Sequence, residues 1–193
     1  MTRSERLAEQ LDWYWRANLR PRLEGLTDDE YFWEPVQGCW SVRPRGEAGE
    51  WVPDFAQPAP EPAPVTTIAW RLAHIVVSCL GYRVGWYFGG PEVDSETFAY
   101  AGSADEALEQ LDEMYGRWNA GVRGLSDADL ENPPPVGPEP YPLENRVLHV
   151  NRELIHHGGE IALLRDLYRW EFQGSTRHSA ASAAGQVWSD GVP

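Results

Sequence analysis

Residues 66–88 are the part of this chain that most restricts its fold. The segment is almost continuously apolar, contains no Asp or Glu, and lies between Thr66-Thr67 and Gly89-Gly90-Pro91. Threonine at a helix start, and glycine with proline after a helix end, are typical boundary signals. A helix that is apolar on nearly all sides has to be buried among other elements. We therefore expect one buried helix that is surrounded by further helices.

Three other segments show helical patterns. In residues 4–24 and 103–124, apolar side chains recur at steps of three and four, and residues 143–170 form the longest predicted helix. The connections 34–65 and 125–142 are rich in proline, and the first shows no sustained period, so we predict that residues 34–65 are irregular. These patterns predict an all-α fold, a four-helix bundle with long proline-rich connections.

Length and charge limit the domain organisation and the partners. The 193 residues can bury one core, so we predict a single domain over residues 1–172 and a small, polar C-terminal tail over residues 173–193. The formal net charge of −14 repels phosphate backbones and anionic lipid headgroups. We therefore expect neither nucleic acid nor a membrane as a partner.

Cysteine usage and the first residues bear on the compartment. Cys39 and Cys79 are the two cysteines and are far apart, which favours a reducing compartment over a disulfide framework or a thiolate metal site. We expect both to be ordinary thiols. The N-terminal residues are charged where a signal peptide needs an apolar run. The sequence therefore predicts a cytoplasmic protein.

The last predicted helix concentrates ionisable side chains between positions 149 and 160. At about 100° per residue, Glu153 and His157 point the same way and can share one small ion. His156 points about 100° away and is not expected to join them. Glu160 lies on the stripe of His157, where it can orient an imidazole. His149, about 80° from His157, is compatible with the mouth of such a site.

A third ligand has to come from elsewhere in the chain, because a catalytic metal usually takes three protein ligands and keeps one position open. Residues 66–88 contain one imidazole, His74, so His74, Glu153 and His157 form a candidate site of two histidines and one carboxylate. Such a site acidifies a bound water or thiol. Gly81 and Gly85 share the face of His74 and predict either a close helix contact or a pocket.

Other interpretations of these residues stay open. His74 could be a hydrogen-bonded core residue, and Glu153 with His157 could be a pair on a solvated face. A two-metal carboxylate site is disfavoured because residues 66–88 contain no carboxylate. A purely structural bundle is disfavoured because an uncompensated buried carboxylate is costly. A non-catalytic binding protein could line a pocket with four tryptophans: Trp13, Trp40, Trp70 and Trp86.

Three stretches together resemble a known family: "LDWYWRANLRPRLEGLTDDEYFWEPV", "AWRLAHIV" and "HVNRELIHHGGEIALLRDLY". They are similar to the DinB/YfiT-like group of metalloenzymes over most of residues 5–170. The resemblance implies a four-helix bundle with up-down-down-up connectivity, often dimeric, that holds one divalent ion, zinc or nickel in many members. It implies a ligand triad of one histidine on the second helix and two residues four apart on the last helix, which here are His74, Glu153 and His157.

The resemblance also implies a class of chemistry. The pair of a glutamate and a histidine on the last helix is similar to the mycothiol-dependent maleylpyruvate isomerase branch, and several relatives are thiol S-transferases or isomerases. Their metal activates a low-molecular-weight thiol cosubstrate such as mycothiol or bacillithiol. We therefore expect a metal-dependent thiol S-transferase or isomerase that acts on a small molecule. A non-catalytic metal or small-ligand binding or stress protein, and a metal-dependent hydrolase, remain alternatives.

Overall fold

A computed structural model of the chain describes residues 1–46, 49–134, 136 and 140–174. This part of the chain is mostly helical, as predicted, and π-helical turns continue three of its helices. In chain order the elements are α1 (Arg3–Tyr14), π1 (Trp15–Leu19), α2 (Arg20–Arg22), α3 (Asp28–Tyr31), β1 (Val42–Arg45), β2 (Glu50–Pro53), α4 (Ile68–Ala73), π2 (His74–Gly81), α5 (Tyr82–Phe88), α6 (Ala104–Arg123), α7 (Asp127–Glu131), α8 (Leu143–Arg169) and π3 (Trp170–Gly174).

The long helical segments begin and end within a few residues of their predicted bounds. The Thr67 hydroxyl accepts a hydrogen bond from the Trp70 backbone N–H at 3.2 Å, and this caps α4. The Ser103 hydroxyl accepts from the Glu106 N–H at 3.3 Å and caps α6 in the same way. Gly89 has φ +64°, a left-handed conformation that glycine adopts easily, and it ends α5.

Four long segments pack around one core. α1 contacts α6 and α8, and π2 contacts the same two helices. The side chains between them include several with no solvent exposure: Leu72, Leu80, Leu111 and Leu154. The up-down-down-up order and the domain boundary at residue 172 stay predictions, and residues 175–193 of the predicted tail lie outside the described residues. No helix of the described part is long and apolar enough to span a membrane.

The prediction that residues 34–65 are wholly irregular was wrong. β1 and β2 form a two-stranded antiparallel sheet in which Val42 pairs with Pro53. Each strand has four residues, which is too few for a periodic pattern to be recognised in the sequence. The strands are instead held by hydrogen bonds to each other. The Asp54 carbonyl oxygen accepts a hydrogen bond from the Trp70 indole N–H at 2.9 Å. This bond ties the sheet to the helical turn before His74.

Gly81 and Gly85, on the face of His74, were predicted to make room for a close helix contact or a pocket. The structure shows a different neighbour. A Cβ atom on Gly81 would lie 3.1 Å from a methyl carbon of Val93, and one on Gly85 would lie 3.0 Å from the Pro91 carbonyl oxygen. The segment that follows α5 therefore folds back over both glycines. Among the described residues, it is this segment that occupies the space beside both glycines, and not a second helix.

Candidate metal centre

The predicted triad comes together where π2 packs against α8. His74 is the first residue of π2, and Glu153 and His157 lie one turn apart on α8. One ligand atom from each of these residues, together with the Cys79 Sγ, lies within 4.8 Å of the others. His157 and Cys79 are buried, whereas His74 and Glu153 are partly exposed. The group therefore lies at the edge of the core, with one side open to solvent.

The orientation of the His157 imidazole is held from one side. Its Nδ1 lies 2.7 Å from the Glu160 Oε2, while its Nε2 lies 3.5 Å from the Glu153 Oε2. A carboxylate bound to one ring nitrogen fixes the tautomer and leaves the other nitrogen with its lone pair. When the Nδ1–H donates to Glu160, the lone pair of the His157 Nε2 is available to bind a metal ion, and this nitrogen faces Glu153.

The imidazole of His74 is held by aromatic contacts. Trp70 stacks on it with ring centroids 5.3 Å apart and an interplanar angle of 7°, and the His157 ring meets it edge-on at 4.8 Å. Burial, followed by the imidazole of His157 and the guanidinium of Arg71, lowers the pKa of His74 to about 4. His74 is therefore neutral at physiological pH, which is the state in which imidazole binds metals.

Arg71 connects the two helices behind His157. Its Nε lies 3.2 Å from the Glu160 Oε2, and its Nη1 lies 3.4 Å from the His157 Nδ1. Because the Glu160 oxygen is closer to Nδ1 than the guanidinium is, the Nδ1 proton belongs between His157 and Glu160. Arg71 compensates the charge of the Glu160 carboxylate and keeps it in place.

Cys79 joins the group because π2 is not an α-helix. The Tyr82 N–H donates to the Val77 carbonyl oxygen, five residues earlier, at the end of π2. In an α-helix, residues five apart point about 140° away from each other, whereas the wider π-helical turn brings them near the same face. Burial raises the pKa of the Cys79 thiol to about 12; the charge of Arg83 opposes this rise and that of Glu153 adds to it.

Comparison with protein-family models identifies the family. A model described as the DinB superfamily matches residues 10–161, most of the chain. The chain belongs to the DinB superfamily. Searches of curated proteins and of solved structures gave no match. The matched range runs from α1 into α8 and includes all four residues of the ligand group.

Two further histidines of this DinB-superfamily protein lie beside the group. His149 Nδ1 lies 3.6 Å from the Glu153 Oε1, so this side chain stands next to the carboxylate, and its place at the mouth of the site stays a prediction. Glu153 and His156 form a Glu-x-x-His sequence, the motif of two-metal carboxylate bundles, yet the His156 side chain is 64% exposed and its Nε2 lies 3.4 Å from the Glu160 Oε1. His156, His157 and Glu160 form a second close group of ligand atoms. It is more open to solvent than the first group because the His156 side chain is exposed.

The four tryptophans of the predicted ligand pocket do not share one environment in this DinB-superfamily protein. Trp40 packs against Trp70 with ring centroids 5.9 Å apart, and Trp70 stacks on His74. Trp13 is 61% exposed, and Trp86 stacks on Tyr82 instead. A pocket lined by all four tryptophans, which the binding-protein alternative would allow, does not include Trp13, because its side chain projects from α1 into solvent.

Arg71 and Cys79 are the residues of this DinB-superfamily centre that the sequence reasoning missed. Arg71 had a signal, because it is a charged residue in an almost wholly apolar helix, three positions before His74. Cys79 had no such signal, since it lies five positions after His74 and would point away from it in an α-helix. The expectation that Cys79 is an ordinary thiol therefore missed its position beside three ligand-type side chains.

Proposed function

We propose that this protein binds one divalent metal ion through His74, Glu153 and His157 and acts as a metal-dependent thiol S-transferase or isomerase. The observation that carries the proposal is the convergence of two imidazole nitrogens and one carboxylate from π2 and α8 at a partly buried place. Both imidazoles have a nitrogen lone pair available, because His74 is neutral and His157 uses its Nδ1 for Glu160.

The donor set is suited to a catalytic ion. Two imidazoles and one carboxylate are ligands for zinc and for nickel alike, so the proposal includes both metals. Three protein ligands leave one position for substrate or water. One carboxylate against a divalent ion leaves a net charge near +1, and this charge favours an anionic ligand such as a thiolate.

The protein side chains have separate tasks in the proposed reaction. When bound, the ion lowers the pKa of a coordinated thiol and polarises a carbonyl group. Glu160 holds the Nδ1 proton of His157, Arg71 holds Glu160, and Trp70 limits rotation of the His74 ring. The proposed cosubstrate is a low-molecular-weight thiol of the mycothiol type, and its acceptor is a small electrophilic molecule.

The first test measures metal binding. Purified protein should contain one zinc or nickel ion per chain by elemental analysis, and His157→Ala should lose it. His156→Ala is the matched control, because it removes the neighbouring imidazole from the same helix while its side chain is 64% exposed. A wild-type protein without stoichiometric metal, whose metal uptake is unchanged by His157→Ala, would contradict the proposal.

The second test separates catalysis from binding. Metal-loaded protein is assayed with mycothiol and electrophilic acceptors, and Glu153→Gln should abolish thiol transfer. Tight binding of metal or thiol without turnover would instead support the non-catalytic alternative, and turnover that consumes water without a thiol would support the hydrolase. The mycothiol-free reaction is therefore measured in parallel.

Three properties complete the proposal. We propose that residues 1–172 form one four-helix bundle domain with up-down-down-up order, which is supported by the contacts of α1 and π2 with both α6 and α8. We further propose that the protein is cytoplasmic and forms a homodimer, as the family resemblance implies. Light scattering coupled to size-exclusion chromatography measures the oligomeric state, and a monomeric mass at working concentration would contradict the dimer.

A further inference from the structure

The thiol of Cys79 is part of the same group of ligand atoms as the proposed triad. Its Sγ and the ligand atoms of His74, Glu153 and His157 all lie within 4.8 Å of one another. The corners of a tetrahedron with edges of 4.8 Å are about 2.9 Å from its centre, compared with zinc–ligand bonds of about 2.0 to 2.3 Å. Shifts of less than about 1 Å per side chain would therefore bring all four atoms to one ion.

We propose that Cys79 is a fourth protein ligand of the metal ion that His74, Glu153 and His157 hold. The inference rests on the proposed metal site and extends it by a thiolate from π2. Binding replaces the Sγ–H bond of Cys79 by a bond from Sγ to the metal, and the proton leaves to solvent. No electron is transferred in this step.

The backbone of π2 is what places Cys79 in the group. The segment from His74 to Gly81 is π-helical, so the residue five positions after His74 returns near the same face. π-helical turns occur frequently at functional sites, since they insert a residue into an otherwise regular helix. In a regular α-helix over the same residues, Cys79 would point about 140° away from His74.

A buried cysteine is often a small apolar residue with no chemical task, and Cys39 is such a case in this chain. Cys39 is buried, and its thiol donates a hydrogen bond to the Val36 carbonyl oxygen at 3.0 Å. Cys79 is equally buried but lies beside two imidazoles and a carboxylate. Cys39 is therefore a matched control for any experiment on Cys79.

A fourth ligand changes the properties expected of the ion. The thiolate and the Glu153 carboxylate together balance a divalent charge, so the bound site becomes neutral instead of carrying about +1. A soft sulfur ligand favours zinc over harder divalent ions. Four protein ligands hold the metal more tightly than three, and the thiol cosubstrate of the proposed function then binds as a fifth ligand or in place of the Cys79 thiolate.

Cobalt substitution tests the proposal with a readout that does not depend on activity. The full-length protein is stripped of metal with a chelator and titrated with Co²⁺, and the absorption spectrum is recorded. A thiolate ligand produces an intense thiolate-to-cobalt charge-transfer band in the near ultraviolet, whereas nitrogen and oxygen ligands do not. We expect this band in the wild type and in Cys39→Ser, and its complete loss in Cys79→Ser.

Each outcome decides between the possibilities. Stoichiometric cobalt binding without the band in the wild type would overturn the role of Cys79 and leave the three-ligand site intact. Failure to bind cobalt, zinc or nickel at all would overturn the proposed function itself. If Cys79→Ser does not fold by circular dichroism, the wild type and Cys39→Ser still decide: a band lost in Cys39→Ser would refute the assignment, and a band kept there supports it.

Discussion

Gly158 and Gly159 follow His157 directly and offer a matched pair of substitutions. Gly158 is buried where α8 passes over α1, whereas Gly159 is exposed. A Cβ atom on Gly158 would lie 2.5 Å from the Tyr14 hydroxyl oxygen and 3.1 Å from a Leu19 methyl carbon, while one on Gly159 would meet nothing within 4 Å. The same chemical change, glycine to alanine, therefore has opposite expected effects at adjacent positions.

The magnitudes follow from these contacts. Gly159→Ala should raise the free energy of unfolding by about 0.5 to 1 kcal/mol, because alanine loses less backbone entropy in a helix. Gly158→Ala has the same gain, but overpacking costs about 1 to 3 kcal/mol. Displacing the Tyr14 ring also strains its hydrogen bond to the Ile155 carbonyl oxygen, 3.3 Å long, which is worth about 1 kcal/mol. The two variants should therefore differ by about 2 to 4 kcal/mol.

Equilibrium unfolding measures this difference. Metal-free protein is unfolded by heat and by urea and followed by circular dichroism, so that metal loss does not contribute. For a chain of this length the difference corresponds to roughly 4 to 16 °C in the melting temperature. If Gly158→Ala is as stable as Gly159→Ala, the close approach of α1 to α8 beside His157 is refuted.

Three further predictions concern ionisable groups. Glu160→Gln should weaken zinc binding about 10- to 100-fold in competition with a chelator, because the Glu160 carboxylate orients the His157 imidazole. The control Glu113→Gln changes an exposed carboxylate and should leave the zinc affinity unchanged. Equal zinc affinities of Glu160→Gln and the wild type would contradict this prediction. Metal-free protein should lose stability as the pH falls from about 6.5 to about 4, since the unfolded chain protonates His74 near 6.5 but the folded chain only near 4. Urea unfolding should show this loss, at most about 3 kcal/mol, and His74→Gln should remove it; an unchanged pH slope in the variant would be the contrary result. Glu30 and Arg165 form a buried ion pair with contacts of 2.7 and 2.9 Å, so Glu30→Gln alone should cost about 3 to 5 kcal/mol in urea unfolding, and a loss below about 1 kcal/mol would contradict this.

The helices could be predicted because their signals are local. Apolar residues at steps of three and four, and caps such as Thr67 and Ser103, depend only on neighbours within a few positions. The sheet over residues 42–53 could not be predicted in this way, since each strand is stabilised by its partner and not by its own pattern. The need for glycine at position 81 could not be predicted either, because the Val93 side chain that packs over it belongs to the segment after the helix.

The candidate metal centre could likewise be predicted only in part from local patterns in the sequence. The sequence alone determined that Glu153 and His157 share a face, because a regular helix converts a spacing of four into a common direction. It also singled out His74 as the imidazole of the buried helix. Only the tertiary structure decided that Arg71 holds Glu160 and that Cys79 lies beside the triad. The first depends on the packing of two helices, and the second on a π-helical turn that no α-helical period could reveal.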